Sequence, residues 1–334
     1  MHGHARPGAL DPACRYHDAW LDTARDDGQR VRPSRHSLHM SRPRYLQVDV
    51  FCEHAGGGNP LGVVFGADAW EAVAMQRFAA WTGLVETTFV LVPTRAEASY
   101  RLRIFTPAKE IPFAGHPTVG SAHAALATGA VVARDGVLVQ ECAAGLLPIR
   151  VEGDGDARRI YVQAPAARIV SEGDRDGVLR EVLGALPRGA LAPAFVEGGR
   201  RWWLAELAHE SDLRAWKPDH AAIGALARAS DSLGLCVFAR AAASSPYQLI
   251  VRAFPAGVGI VEDPASGAAN GLIAAYIAQR DHASSLARGY RVSQGREIGH
   301  DATIDIRIES DAAVWVGGRS WTIVDGVLER AIDT

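Results

Sequence analysis

Through much of the chain apolar and polar positions alternate with a period of two, which predicts a strand-rich protein interrupted by a few helices. Residues 45–51 alternate and are rich in β-formers, and after the turn Gly56-Gly-Gly-Asn-Pro60 an apolar run at 61–65 predicts a second strand. Asp68-Ala-Trp-Glu71 has capping-box spacing. It predicts a helix whose stripe is Trp70, Val73, Ala74, Phe78 and Trp81, ending near Gly83. Residues 85–92 form an apolar, β-branched strand that begins on an acid, Glu86. In 99–105, Tyr100, Leu102 and Ile104 alternate with Arg101 and Arg103, the mark of a half-buried strand. Further strands are expected at 137–151, 159–163, 194–207, 235–240, 247–254, 290–294, 303–308, 313–316 and 321–324, with helices near 177–186 and 221–230.

Two more helices are built of small residues. One is expected over 117–129 and follows Glu110-Ile-Pro-Phe-Ala-Gly-His116; the other is expected over 264–279 and opens in Glu262-Asp-Pro-Ala-Ser-Gly267. A proline at the first helical position, with Gly, Ser and Ala after it, leaves a helix N-terminus that another group can approach closely. His116 to His123 aligns without gaps to Asp263 to Asn270, with proline, glycine and alanine coinciding. Arg103-Ile-Phe105 precedes the first copy as Arg252-Ala-Phe254 precedes the second. The chain reads as an internal duplication. The fold class expected is α+β: two pseudo-symmetric domains, 44–155 and 156–334, each a mixed sheet or barrel wrapped on a slim helix. A doubly wound sheet is disfavoured, because no Gly-x-Gly-x-x-Gly fingerprint follows a strand.

Composition narrows the functional classes. With 334 residues, 48% of them hydrophobic, the chain can fill two cores. A formal charge of −3 provides no basic field, so neither nucleic acid nor an acidic membrane surface is an expected partner. Small molecules are. No apolar run is long enough for a membrane span or a secretory signal, and a cytoplasmic location is expected. Cys14, Cys52, Cys142 and Cys236 are widely spaced without a Cys-x-x-Cys pair, which fits reduced thiols. Residues 1–43 hold His2, His4, His17, His36 and His39 without periodicity and are expected to be disordered or loosely packed, the histidines solvated rather than metal-binding. Met40, just before the first strand, is a candidate start of the native chain.

Three side chains carry the candidate chemistry. Glu86 reads either as a buried acid that moves protons or as a strand-end carboxylate in water. His116 and Asp263 either flank a substrate or cap their helices. The N–H groups near Gly115 to Val119 and Gly267 to Ala269 are suited to a carboxylate, since helix N-termini favour anions.

Taken together, Val48-Asp-Val-Phe51 with Gly57-Gly-Asn-Pro-Leu61, Glu86-Thr-Thr-Phe89, Phe105-Thr-Pro107 with Pro112-Phe-Ala-Gly-His-Pro-Thr118, Glu262-Asp-Pro-Ala-Ser-Gly-Ala-Ala-Asn270 and Gln294-Gly295 resemble the PhzF-like phenazine-biosynthesis isomerase family. The resemblance runs from about residue 45 to the C-terminus. It implies the diaminopimelate-epimerase fold, an interdomain cleft, no organic cofactor or metal, and a homodimer. Carried over, Glu86 is the catalytic acid/base and His116 and Asp263 are its partners in the cleft. Gly115, Pro117, Thr118, Gly267 and Ala268 line the substrate. Three positions depart from the family pattern: Val85 where serine is usual, Ala268 where a hydroxyl residue is usual, and His300 where arginine is common. The expected function is a cofactor-independent isomerase acting on a small carboxylate-bearing metabolite. An epimerase or racemase, and a non-catalytic ligand-binding or interaction member of the same fold, are the alternatives. A two-thiol racemase is disfavoured, because the helix starts carry His116 and Asp263 rather than cysteines.

Overall fold

The computed structural model describes residues 42–173 and 176–329. The expectations for the five N-terminal histidines, Cys14 and Met40 lie outside the described residues. A first series of elements comprises β1 (Arg44–Val50), β2 (Asn59–Phe65), α1 (Ala72–Thr82), β3 (Glu86–Leu91), β4 (Tyr100–Phe105) and the short β5 (Glu110–Ile111). It continues through α2 (Gly115–Ala127), β6 (Val137–Cys142), β7 (Gly145–Glu152) and β8 (Arg159–Gln163). β9 (Arg168–Glu172) closes this series, and the second is α3 (Gly177–Leu183), β10 (Ala194–Gly198), β11 (Arg200–Leu207), α4 (Glu210–Ala215), α5 (His220–Ser230), β12 (Gly234–Arg240) and β13 (Leu249–Phe254). It ends with α6 (Gly267–Arg280), β14 (Gly289–Gln294), β15 (Ala302–Ile308), β16 (Val314–Gly318) and β17 (Ser320–Val327).

The two series pair their strands by the same rule. In the first, β1·β2 is antiparallel, β2·β3 parallel, β3·β4 antiparallel, β4·β6 parallel, and β6·β7 and β7·β8 antiparallel. The second repeats these senses through β10, β11, β12, β13, β14, β15 and β16. An antiparallel β8·β16 pair joins them. Each series also lends its next strand to the other: β9 follows β8 but pairs with β10, and β17 follows β16 but pairs with β1. The result is the expected α+β architecture, with strands of both series in one sheet.

Each series wraps a slim helix. Strands β1, β2, β3 and β8 lie against α2, and β10, β15 and β16 against α6. The small residues are there because the sheet comes so near: a β-carbon on Gly120 would lie 2.6 Å from side-chain atoms of Leu61 and Val50, and one on Gly271 would lie 2.8 Å from Ala164. Along β4 the alternation holds, with Tyr100, Leu102 and Ile104 buried and Arg101 and Arg103 partly exposed.

Several expectations need correction. The capping box at Asp68 does not form. Asp68 instead accepts the Val92 N–H at 2.8 Å, and α1 starts after Glu71 with no side-chain cap. Its buried face is Ala74, Met75, Phe78 and Ala79, while Val73 and Trp81 are exposed. Gly83 ends the helix as expected, in the left-handed region at φ 66°. α2 begins at Gly115 rather than Pro117, and α6 at Gly267 rather than Pro264.

That last shift exposes the true register of the duplication. Arg103 Nε and Nη2 donate to the two carboxylate oxygens of Glu110 at 2.8 and 2.7 Å, and Arg252 makes the same fork on Glu262 at 2.9 and 2.8 Å. The residues after each pair also correspond, since Ile104 bridges Ile111 and Ala253 bridges Asp263. Glu110-Ile-Pro-Phe-Ala-Gly115 therefore superposes on Glu262-Asp-Pro-Ala-Ser-Gly267. Asp263 is the counterpart of Ile111, and His116 that of Ala268; the gapless alignment of His116 with Asp263 is out of register. Proline, glycine and alanine recur in both the turn and the helix, so they satisfy two registers, and the arginine–glutamate forks with the bridges beside them choose between the two.

Candidate active site

Glu86 opens β3, opposite Leu61 of the parallel strand β2. Its side chain is only 12% exposed, so it is a buried carboxyl rather than a strand-end carboxylate in water. Burial, and after it the nearby Asp263 charge, push its pKa up to about 8. His116 sits in the first turn of α2 and is 6% exposed. Burial lowers its pKa to about 3 against a weaker opposing pull from the Pro60 carbonyl, so the ring is neutral at neutral pH.

His116 Nδ1 lies 3.4 Å from Glu86 Oε2. With the acid protonated and the imidazole uncharged, this contact is not an ion pair at neutral pH. Its geometry also leaves Glu86 Oε2 and His116 Nε2 buried without a hydrogen-bond partner. Each such atom costs about 1–3 kcal/mol, a cost usually tolerated where a group must be available for chemistry.

Asp263 comes from the other series. It is fixed by a backbone bridge to Ala253, with its N–H donating to Ala253 O at 2.9 Å. Its Oδ1 accepts from Asn59 Nδ2 at 3.0 Å and from the Ala265 N–H at 3.2 Å. Burial raises its pKa to about 6; the Ala265 N–H, the Ser266 hydroxyl and His300 pull the other way. Gln294 Nε2 donates to the Asp263 carbonyl at 2.8 Å, while Gln294 Oε1 accepts from the Ser266 N–H at 3.3 Å and from Asn270 Nδ2 at 2.9 Å. Neither Asp263 nor His116 caps a helix. The cap of α2 is Ala114, with no side-chain bond, and that of α6 is Ser266, whose hydroxyl accepts the Ala269 N–H at 3.3 Å.

The two helix N-termini meet at their glycines. A β-carbon on Gly115 would sit 3.5 Å from Gly267 Cα, and one on Gly267 would sit 3.4 Å from Gly115 Cα. The first N–H groups of each helix have no acceptor inside the helix, so the junction concentrates donors and two positive dipole ends. Glu86, His116, Asp263, Gly115 and Gly267 are thus brought together. The other expected residues are placed differently. Pro117 is buried in the α2 first turn, and the buried Thr118 hydroxyl accepts from Gln140 Nε2 at 3.2 Å, turned into its own series. Ala268 is exposed on the first turn of α6. Val85, half-buried, directly precedes Glu86. His300 Nδ1 lies 2.6 Å from Gly58 O, beside Asn59.

Asn59 and Gln294, which both donate to Asp263, are the residues around it to which sequence reasoning gave no role. They are 0% and 1% exposed, and the only signal was a side-chain amide among apolar neighbours at a strand end. Among the described residues, no group of three or more His, Cys, Asp or Glu is arranged to hold a metal ion. Cys52 and Cys236 are buried as expected, whereas Cys142 is only half-buried. No helix of the described residues is long and apolar enough to cross a membrane. An open cleft of about 390 Å³ lies elsewhere, lined by Arg159, Arg291 and Arg307 among others. Those arginines are engaged by Glu53, Glu152 and Asp305, and the cleft includes none of Glu86, His116 or Asp263.

Comparison with known proteins bears on the family and the fold. Residues 48–326 match the model of a family described as phenazine biosynthesis-like protein. The chain is 31% identical over 298 residues to antisense-enhancing sequence 1 of Schizosaccharomyces pombe, covering 86% of this chain and 99% of that protein. It is 32% identical over 290 residues to trans-2,3-dihydro-3-hydroxyanthranilate isomerase of Pseudomonas aeruginosa, covering 85% and 98%. In fold it is similar to a Bacillus anthracis phenazine biosynthesis protein of the PhzF family, with a TM-score of 0.75 at 23% identity, covering 86% and 99% of the two chains.

Proposed function

The chain belongs to the phenazine biosynthesis-like family and is an isomerase; from that premise we propose that it moves a proton between carbons of a small carboxylate-bearing metabolite, without a cofactor, using Glu86 as the acid/base. The observation that supports this reading most is the meeting of two carboxyls of raised pKa, Glu86 and Asp263, with the neutral ring of His116 beside the acid. A carboxyl near pH 8 accepts a proton from carbon and gives it back without a large penalty in either direction, which is the condition for efficient general acid/base catalysis.

In the proposed reaction the substrate carboxylate lies against the helix N-termini at Gly115 and Gly267. Ionised Glu86 removes a proton from one carbon, and the electron pair left behind moves into the adjacent unsaturation. The N–H donors at the helix ends stabilise the charge that develops. The same carboxyl, now protonated, delivers the proton to a second carbon. Asp263 accepts a hydrogen bond from the substrate on the opposite side, and the neutral His116 ring packs beside the Glu86 carboxyl. The same reading includes a cytoplasmic homodimer, which light scattering at working concentration tests for assembly state.

The experiment is solvent-deuterium incorporation into candidate carboxylates, beginning with trans-2,3-dihydro-3-hydroxyanthranilate, followed by NMR and mass spectrometry. Wild type is expected to place deuterium on a neighbouring carbon, and Glu86→Gln to lose about 10²- to 10⁴-fold in rate. Equal incorporation by both proteins would remove Glu86 from the role; deuterium at a single inverted carbon would identify an epimerase instead.

A further inference from the structure

We propose that Asn59 is the positioning residue of this site: its side-chain amide, presented by the first series, holds the carboxylate of Asp263 from the second at a fixed orientation towards Glu86. The inference deepens the acid/base reading above and rests on it. Both hydrogens of Asn59 Nδ2 are used, one on Asp263 Oδ1 and one on the Ala265 carbonyl, each at 3.0 Å. Because both partners are acceptors, the amide has one acceptable orientation; the flipped form would set its oxygen against two other oxygens. The residue is fully buried, so water does not replace these bonds.

The backbone around Asn59 is itself braced. Asp49 Oδ2 accepts the N–H groups of Gly56 and Gly58 at 2.7 and 3.0 Å, and a β-carbon on Gly58 would lie 2.2 Å from Val50 O. On the far side, the Asp301 N–H donates to Gly57 O at 2.7 Å. Asn59 therefore reaches Asp263 from a rigid support rather than from a free loop. Asp263 needs that hold, because the groups facing it are mixed. Glu86 from β3 and Glu262 from its own segment repel its charge, His300 favours it, and neutral His116 and the buried Cys236 thiol give it no counter-ion. A donor fixed on Oδ1 keeps the ionised form and its direction together.

The test is read on the Asp263 carboxyl itself, so it does not depend on turnover. In wild type, the Asn59 side-chain amide resonances should shift with pH and inflect at the Asp263 titration seen in carbonyl-carbon NMR. The Asp263→Asn protein, which assigns that signal, should lose the inflection. In Asn59→Ala the Asp263 pKa should rise by about one unit, the effect of removing one charge-assisted hydrogen bond. Should Asn59→Ala fold poorly, the wild-type inflection alone decides the matter. An Asn59 amide that ignores the Asp263 titration, or an unchanged Asp263 pKa in a folded Asn59→Ala protein, overturns the proposal. A purely structural role for Asn59 would lower thermal stability without moving that titration. Failure of catalysis with the titrations as expected would count against the acid/base reading and leave the positioning role standing.

Discussion

Replacing Glu86 by Gln exchanges a carboxyl for a neutral amide of nearly the same shape, and the pH dependence of stability should reveal it. The folded protein holds the Glu86 proton up to about pH 8, whereas the unfolded chain releases it near 4.5. Between those values the folded state binds more protons, so stability is full below about pH 4.5 and is lost as pH rises through 8. A gap of this width is worth roughly 5 kcal/mol at 1.36 kcal/mol per unit, and some relaxation around the ionised group brings the expected figure to roughly 3–5 kcal/mol. The Gln variant carries no such loss. The two proteins should therefore melt together near pH 5, and the variant should be the more stable at pH 9, by about 10 °C at 2–4 °C per kcal/mol. Asp263, raised to about 6, loses stability in the same direction between about 3.8 and 6; His116, lowered to about 3, contributes stability above 6.5 that is lost as pH falls towards 3. Both are present in each protein and largely cancel in the difference. Thermal melts at pH 5, 7 and 9 are the assay. A difference in Tm that stays constant across these pH values would refute the claim that Glu86 is held protonated by burial.

If Glu86 starts each cycle ionised, kcat/KM should rise with pH and level off above about 8, and a flat profile from pH 6 to 9 would remove it as the base. Gly120→Ala would drive a methyl against Leu61 and Val50 and should cost about 1–3 kcal/mol in urea unfolding. Gly115→Ala meets Gly267 only at ordinary contact distance, so it should fold normally but slow turnover by narrowing the junction. Removing the buried arginine in Arg252→Ala leaves Glu262 unpaired at 4% exposure and should cost about 3–5 kcal/mol. The matching Arg103→Ala, at a pair 27% and 38% exposed, should cost about 0–1 kcal/mol. Equal losses at the two arginines would contradict the burial argument.

The sequence made the strands legible because burial on one face writes itself as alternation, as in Tyr100, Leu102 and Ile104. It made Glu86 visible for the same reason, an acid where the pattern calls for an apolar residue. The helix starts were harder. Pro117 marked a first turn but not its first residue, and Pro264 lies ahead of α6 in the turn that Asp263 and Ser266 organise. The capping box at Asp68 failed because its carboxylate found a better donor in Val92, a contact that local spacing does not encode. Asn59 was unreadable for a related reason: its partner lies 204 residues away, and only the meeting of the two series makes an amide at that strand end meaningful.

The exchange of β9 and β17 between the series bears on how the protein is made. β1 is the first of the described strands to be made, yet one of its two partners is β17, the last of them. During synthesis, its open edge must wait until β17 has been made, and an unpaired strand edge is a template for wrong pairing. A nascent chain arrested after β8 should therefore bind holdase chaperones, while one released after β17 should not. The seam that unites the site also makes the molecule indivisible, since no single cut yields two pieces that each own their complete sheet.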